Sequence, residues 1–155
     1  MSILLGQLVT DFTSKTTENN NITLSDLSGS QIVLFFYPKD NTPGCTSEAL
    51  SFKHHYEDFK ASNTLIFGVS KDNLQTHEKF KKKYSLPFDL IADTDEKLCT
   101  LFDVIKKKTL YGKEHMGIER STFLIDRAGI MQHEWRKVLI KNHVEDVLQA
   151  TQAFK

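Results

Sequence analysis

Residues 37–50, YPKDNTPGCTSEAL, place Cys45 one step after a Pro-Gly pair, between an apolar run and a stretch patterned as helix. A thiol ordinarily ionises near pH ~8.5, and only its thiolate is a good nucleophile or metal ligand. This position supplies what a thiolate needs. With Thr42 as N-cap, Pro43 takes the first helical position, where its missing N–H costs nothing and its fixed φ suits the helix. Cys45 then falls in the first turn, where unpaired backbone N–H groups and the positive end of the helix dipole favour an anion. Gly44 allows another molecule to approach the backbone closely. The turn follows the carboxyl end of a strand that reads as buried, which is where open α/β sheets place their ligands. A free cysteine can also serve as a small buried hydrophobe, and position alone leaves that alternative open.

Other thiol chemistries fit less well. A Cys-X-X-Cys redox pair is excluded, because Thr42 and Glu48 occupy the partner positions. A zinc site needs more ligands than Cys45 with His54 and His55, and Cys99 is remote in sequence. None of the six histidines stands in a recognisable cysteine-protease context.

The elements that must hold this turn follow from hydrophobic periodicity. Residues 31–37, QIVLFFY, form a continuous β-rich apolar run, as expected of a strand covered on both faces. From Pro43 to Ala61, Ala49, Phe52, Tyr56 and Phe59 recur at steps of three and four, predicting one amphipathic helix. Short extended pieces are expected near 10–14 and 22–24 around the turn signal TTENNN, with a buried strand at 64–69 and a short strand at 87–92 ended by polar residues. Asp72 with Gln75 reads as a capping box for a helix with Leu74, His77, Phe80 and Tyr84 on one face. Asp93 with Glu96 starts another helix, with Leu98, Leu101, Phe102 and Ile105 inward. Residues 122–126 and 130–135 read as a hairpin, and Asn142 with Glu145 caps a last helix bearing Val144, Val147, Leu148 and Thr151. Alternating strands and helices predict an α/β protein with a mixed central sheet flanked by helices, a three-layer sandwich.

At 155 residues, with 39% hydrophobic and 26% charged content, the chain reads as one domain, 1–155, able to bury a single sizeable core. Twenty basic residues balance twenty acidic ones, so no overall field favours nucleic acid or an anionic membrane. The clusters Lys81 to Lys83 and Lys106 to Lys108 read as solvated faces. No apolar stretch approaches the ~20 residues that span a bilayer, and the N-terminus lacks a signal peptide's charged start and long apolar core. Two cysteines make no disulfide scaffold, so the expectation is a reducing, cytoplasmic setting.

The motifs narrow this further by resemblance. Pro38, Thr42 and Cys45 match the Pro-X-X-X-Thr-X-X-Cys pattern of peroxiredoxins, thiol peroxidases with a thioredoxin-like fold. Downstream, GIERSTFLID (117–126) resembles the segment that carries the family's active-site arginine, here Arg120. The form FFYPKDNTPGCTSEA and the short length resemble the peroxiredoxin Q branch, also called bacterioferritin comigratory protein. The similarity runs from about Leu8 to the final helix.

This resemblance implies a peroxidatic Cys45 that attacks the peroxide O–O bond and becomes a sulfenic acid. It implies Thr42 hydrogen-bonding the peroxide, Arg120 favouring the thiolate and stabilising developing charge, Pro38 shielding the site, and the N–H groups of Gly44 and Cys45 as further donors. Glu48 either orients Arg120 from the next helical turn or is simply solvated. The implied substrates are hydrogen peroxide and small organic hydroperoxides, with thioredoxin, glutaredoxin or a small thiol as reductant. The implied protein is a monomer with no metal, haem or flavin. One departure stands out. Many members of the branch carry a resolving cysteine five residues after the first, and Leu50 stands there. Cys99 is then either an inert core thiol, giving a one-cysteine cycle, or the resolving partner of Cys45.

Overall fold

All six residues of β3 (Gln31–Phe36) are buried, and their side chains alternate between two cores. Ile32, Leu34 and Phe36 enter one core, while Val33, Phe35 and the following Tyr37 enter the other. A strand covered on both faces has no need of a polar side, which is why this run reads as unbroken apolar sequence.

The computed structural model describes residues 3–154. Around β3 the chain adds β1 (Thr13–Thr16), β2 (Asn20–Thr23), a 3-10 turn at Leu24–Leu27, α1 (Pro43–His54), α2 (Tyr56–Ala61), β4 (Thr64–Ser70) and α3 (Leu74–Tyr84). It continues through β5 (Asp89–Ala92), α4 (Lys97–Leu101), β6 (Ile105–Leu110), β7 (Lys113–Ile118), β8 (Ser121–Ile125), β9 (Met131–Trp135) and α5 (His143–Phe154). Seven strands form one mixed sheet in the order β2-β1-β5-β4-β3-β8-β9, with β4 parallel and β8 antiparallel to β3. Helices α1, α2, α3 and α5 bury Ala49, Phe52, Phe59, Phe80, Val144 and Val147 on one face. Helix α4 contributes Leu98 and Cys99 to the other. This is the thioredoxin-like, helix-flanked mixed sheet expected from the sequence.

Several local expectations need correcting. The helix expected over 43–61 breaks at His55, which ends α1 and begins α2 with ψ 11°. The first two strands pair Thr13–Thr16 with Asn20–Thr23, so the turn between them is tighter than TTENNN suggested, with Glu18 and Asn19 at positive φ. The N-cap of α3 is Asn73, whose side chain accepts from Thr76 N, and not Asp72. Asn142 precedes α5 at φ 62°, outside the extended backbone an N-cap normally adopts. Helix α4 ends at Leu101, and Ile105 opens a separate hairpin of β6 and β7. That hairpin turns at Tyr111 and Gly112, both at positive φ (53° and 75°), as a two-residue type I′ turn requires.

One glycine is fixed by packing. Gly68 pairs with Phe35 on one side and Leu90 on the other, and a Cβ there would lie 2.8 Å from Phe35 Cζ and 2.8 Å from Leu90 Cδ2. Phe35 is held in turn by stacking on Phe52 at 4.5 Å. Gly68→Ala should therefore overpack this core and cost about 1–3 kcal/mol. Denaturant unfolding checks this, and a midpoint equal to wild type would show that the aromatic layer yields freely.

Candidate active site

The site forms where β3 hands the chain to α1. Phe36 pairs with Ser121 at the end of the antiparallel β3–β8 ladder, so Arg120 emerges one residue past the pairing, beside the loop that leads to Cys45. A tight link from β7 holds it there: Glu119 N donates to the Val104 carbonyl at 2.7 Å, and Val138 N donates to the Arg120 carbonyl at 3.0 Å.

Cys45 lies in the first turn of α1 and is buried, with only 1% exposure. Thr42 occupies the N-cap position with extended backbone, φ −92° and ψ 155°, but its side chain does not cap the helix. Its hydroxyl instead donates to the Lys39 carbonyl at 2.9 Å. The first-turn N–H groups of Gly44 and Cys45 thus receive no side-chain cap and keep their positive potential beside the sulfur. Pro38 is exposed at the start of the loop.

Arg120 links the site together. Its Nη1 donates to Glu48 Oε1 at 2.7 Å and its Nη2 donates to Cys45 Sγ at 3.4 Å. A planar guanidinium can serve a carboxylate and a sulfur at once, which the single ammonium of a lysine could not do in fixed geometry. Gly44 eases the approach, since a Cβ there would sit a tight 3.2 Å from Arg120 Nη2 and 3.4 Å from Ile140 Cδ1. Its lack of a side chain serves Arg120, in addition to any incoming molecule.

Glu48 is fully buried and not a solvated helix residue. Burial pushes its carboxyl up to about 7, against the attraction of the Arg120 charge and hydrogen bond. Its Oε2 accepts no hydrogen bond from the described residues, and His143 Nε2 lies 4.0 Å from it. His143 cannot supply a strong charge, because burial lowers it to about 4, and its Nε2 is instead 2.8 Å from Thr122 Oγ1. Burial thus favours the protonated carboxyl while Arg120 favours the carboxylate, so the charge of Glu48 rests on its contact with Arg120.

Sequence reading missed two contributors. Lys108, placed there on a solvated face, is half-buried on β6; burial and Arg120 lower its pKa while Cys45 and Glu119 raise it. The hairpin thus brings a second cation into the field of the sulfur. His143 was counted only among six histidines, and no sequence spacing relates it to Glu48.

Cys99 stands apart. It belongs to the core on the face of the sheet opposite that of Cys45. Asp93 accepts from Leu98 N at 2.9 Å and from Cys99 N at 2.8 Å, one oxygen for each, and so caps α4 directly. Burial and the hydrogen bond to Asp93 push the Cys99 thiol up, away from the thiolate.

A basic fork holding a buried sulfur at a helix N-terminus, on a thioredoxin-like sheet, defines a thiol-based redox enzyme. The sequence model of the AhpC/TSA family matches residues 5–134. Peroxiredoxin Bcp of Bacillus subtilis is 50% identical over 149 residues, covering 96% of this chain and 95% of the relative. Among solved structures, peroxiredoxin Q of Xanthomonas campestris superposes with a TM-score of 0.91 at 41% identity, covering 97% of each chain. A Xanthomonas campestris bacterioferritin comigratory protein, described for its alkyl peroxide reduction activity, aligns equally well, with a TM-score of 0.91 at 40% identity over 97% of this chain and 98% of the other. The chain belongs to the AhpC/TSA family and, within it, to the peroxiredoxins of the Q or bacterioferritin comigratory type.

Arg120→Ala tests the electrostatics of the site through stability. The change leaves both Glu48 oxygens unpartnered, so the folded state holds the carboxyl proton more tightly than wild type does. A carboxyl whose folded pKa lies above its unfolded value contributes stability that is lost as pH rises toward the folded pKa. The stability gap between wild type and variant should therefore widen from about pH 6 to about pH 8 in denaturant titrations. A gap independent of pH would show that Glu48 is not the group Arg120 holds down.

Proposed function

We propose that the protein reduces hydrogen peroxide and small organic hydroperoxides through Cys45. The carrying observation is the Arg120 fork, with Nη2 3.4 Å from Sγ and Nη1 fixed 2.7 Å from Glu48 Oε1. The Cys45 thiolate attacks the nearer peroxide oxygen, the O–O bond breaks, and the distal oxygen leaves as water or alcohol once protonated. Cys45 becomes a sulfenic acid. Arg120 and the N–H groups of Gly44 and Cys45 stabilise the charge passing from sulfur to oxygen. The Thr42 hydroxyl, whose hydrogen is committed to the Lys39 carbonyl, presents its lone pairs to the peroxide O–H. Pro38 fixes the path of the loop. The activity described for the Xanthomonas relative supports organic hydroperoxides as substrates.

The cycle closes through an external thiol. Leu50 stands at the position five residues after Cys45, and Cys99 lies in the opposite core. A bridge between bonded cysteines needs Cα atoms within about 6.8 Å, so a Cys45–Cys99 disulfide requires α1 and α4 to leave their packing. One thiol condenses with the sulfenic acid, releasing water, and a second thiol attacks the mixed disulfide and regenerates Cys45. Thioredoxin, glutaredoxin or a small thiol fits this role. A monomer in a reducing cytosol is the setting in which both free thiols persist.

Cys45→Ser and Cys99→Ser separate the possibilities in a peroxide assay driven by a thioredoxin system. Turnover should vanish in the first variant, because a serine hydroxyl stays protonated, and remain near wild type in the second. Mass analysis of peroxide-treated wild type under non-reducing conditions should show no intramolecular loss of two hydrogens. A peptide linking Cys45 to Cys99, together with lost turnover in Cys99→Ser, would make Cys99 the resolving residue. Substantial turnover in Cys45→Ser would remove Cys45 as the nucleophile.

A further inference from the structure

The loop that carries Pro38 and Thr42 into α1 is pinned from beneath by side chains with no place in the chemistry above. Asp40 is buried, with Oδ1 accepting from Tyr37 Oη at 2.6 Å and Oδ2 lying 2.7 Å from His77 Nδ1. Its backbone N–H donates to Asp72 Oδ2 at 2.8 Å, and Ser70 Oγ donates to the same oxygen at 2.6 Å. The carbonyl of that same Lys39–Asp40 peptide unit accepts the Thr42 hydroxyl at 2.9 Å. One peptide plane is thus held at its N–H by Asp72 and carries at its C=O the acceptor that aims Thr42. Asp40, Asp72 and His77 lie close enough to suggest a cation site, but hydrogen bonds from Tyr37, Ser70 and the backbone already occupy them.

The proton inventory of this cluster is determined by its partners. His77 Nε2 lies 2.9 Å from the Ile91 carbonyl oxygen, which only accepts, so Nε2 carries a hydrogen. The 2.7 Å contact between Nδ1 and Asp40 Oδ2 is a hydrogen bond that holds the Asp40 side chain in one orientation. His77 and Tyr37 are buried, so no water competes for either contact.

We propose that the His77–Asp40 pair is a positioning device for Thr42, acting through the Lys39–Asp40 peptide. By locking that plane from α3 and the end of β3, it keeps the Thr42 hydrogen on the Lys39 carbonyl and the hydroxyl lone pairs toward the peroxide. His77 and Asp40 are therefore positioning residues, one step removed from the reacting atoms. The proposal rests on the reading of Cys45 as a peroxidatic cysteine.

Two conservative variants divide the functions of the His77 ring. His77→Asn puts an amide donor near the place of Nδ1, toward Asp40, whereas His77→Gln puts one near the place of Nε2, toward the Ile91 carbonyl. Both lose the ring packing against Tyr37, so both should lower the thermal midpoint to a similar extent. The discriminating readout is the single-turnover rate of Cys45 oxidation by hydrogen peroxide, measured well below those midpoints. A displaced hydroxyl should slow His77→Gln by about tenfold to a hundredfold, while His77→Asn should stay within about threefold of wild type. Equal rates in the two variants, whether both fast or both slow, would overturn the proposal. If neither variant folds, Asp40→Ala removes the carboxylate of the pair and keeps the backbone N–H that donates to Asp72; a slowed rate supports the proposal and an unchanged one overturns it. A wild type that does not react with peroxide would remove the peroxidase reading, and the proposal with it. A reactive wild type with unaffected variants would remove the proposal alone.

Discussion

The guanidinium of Arg120 reaches across from one end of the β3–β8 ladder to the first turn of α1, and two constraints have to hold for it to arrive. The register that sets Phe36 opposite Ser121 fixes where the arginine leaves the sheet. Gly44 lies against that guanidinium, where a Cβ would sit 3.2 Å from Nη2. A one-residue slip of β8 would turn its side chains to the other face and carry Arg120 away from the thiol. Phe123 and Ile125 pack in one core and Leu124 in the other, so it is the shape of these two cores that ties the register to the geometry of the chemistry.

Burial then makes the interaction strong. Glu48 is buried with one oxygen bonded to Arg120, and among the described residues the other has no hydrogen-bond partner, so burial makes its charge costly and Arg120 offsets it. The two share their field with the sulfur of Cys45 and, at the edge, with Lys108. In such a low-dielectric cluster, moving one proton alters every other interaction. His143, kept neutral by burial, closes the far side of Glu48 without adding charge.

Much of this was legible in the sequence, and the parts that were not share a physical cause. The continuous apolar run of β3 and the three-and-four spacing of Ala49, Phe52 and Phe59 report burial directly, so the central strand and the helix carrying Cys45 could be read. Pro43 and Gly44 mark the start of that helix, and the motif match supplied Arg120. The β6–β7 hairpin was illegible because its residues, IKKKTL and KEHMGI, show no regular alternation of apolar and polar side chains. The break at His55 leaves the inward face nearly continuous from Phe52 to Phe59, so periodicity passes over it. Glu48 and Asp40 are polar residues whose burial depends on partners 72 and 37 positions away in the chain, and no local pattern carries that information.

The central sheet also separates the two sulfurs. Cys45 borders the site, whereas Cys99 lies at 0% exposure in the opposite core, with its thiol proton favoured by Asp93. Opening confined to the end of β3 would leave that second core in place, so a reagent reaches Cys99 only by an opening of the α4 side of the sheet. The two thiols therefore differ in what would expose them: Cys45 sits in the first turn of α1 beside Arg120, whereas modification of Cys99 would report an opening of the layer that α4 forms on the opposite face.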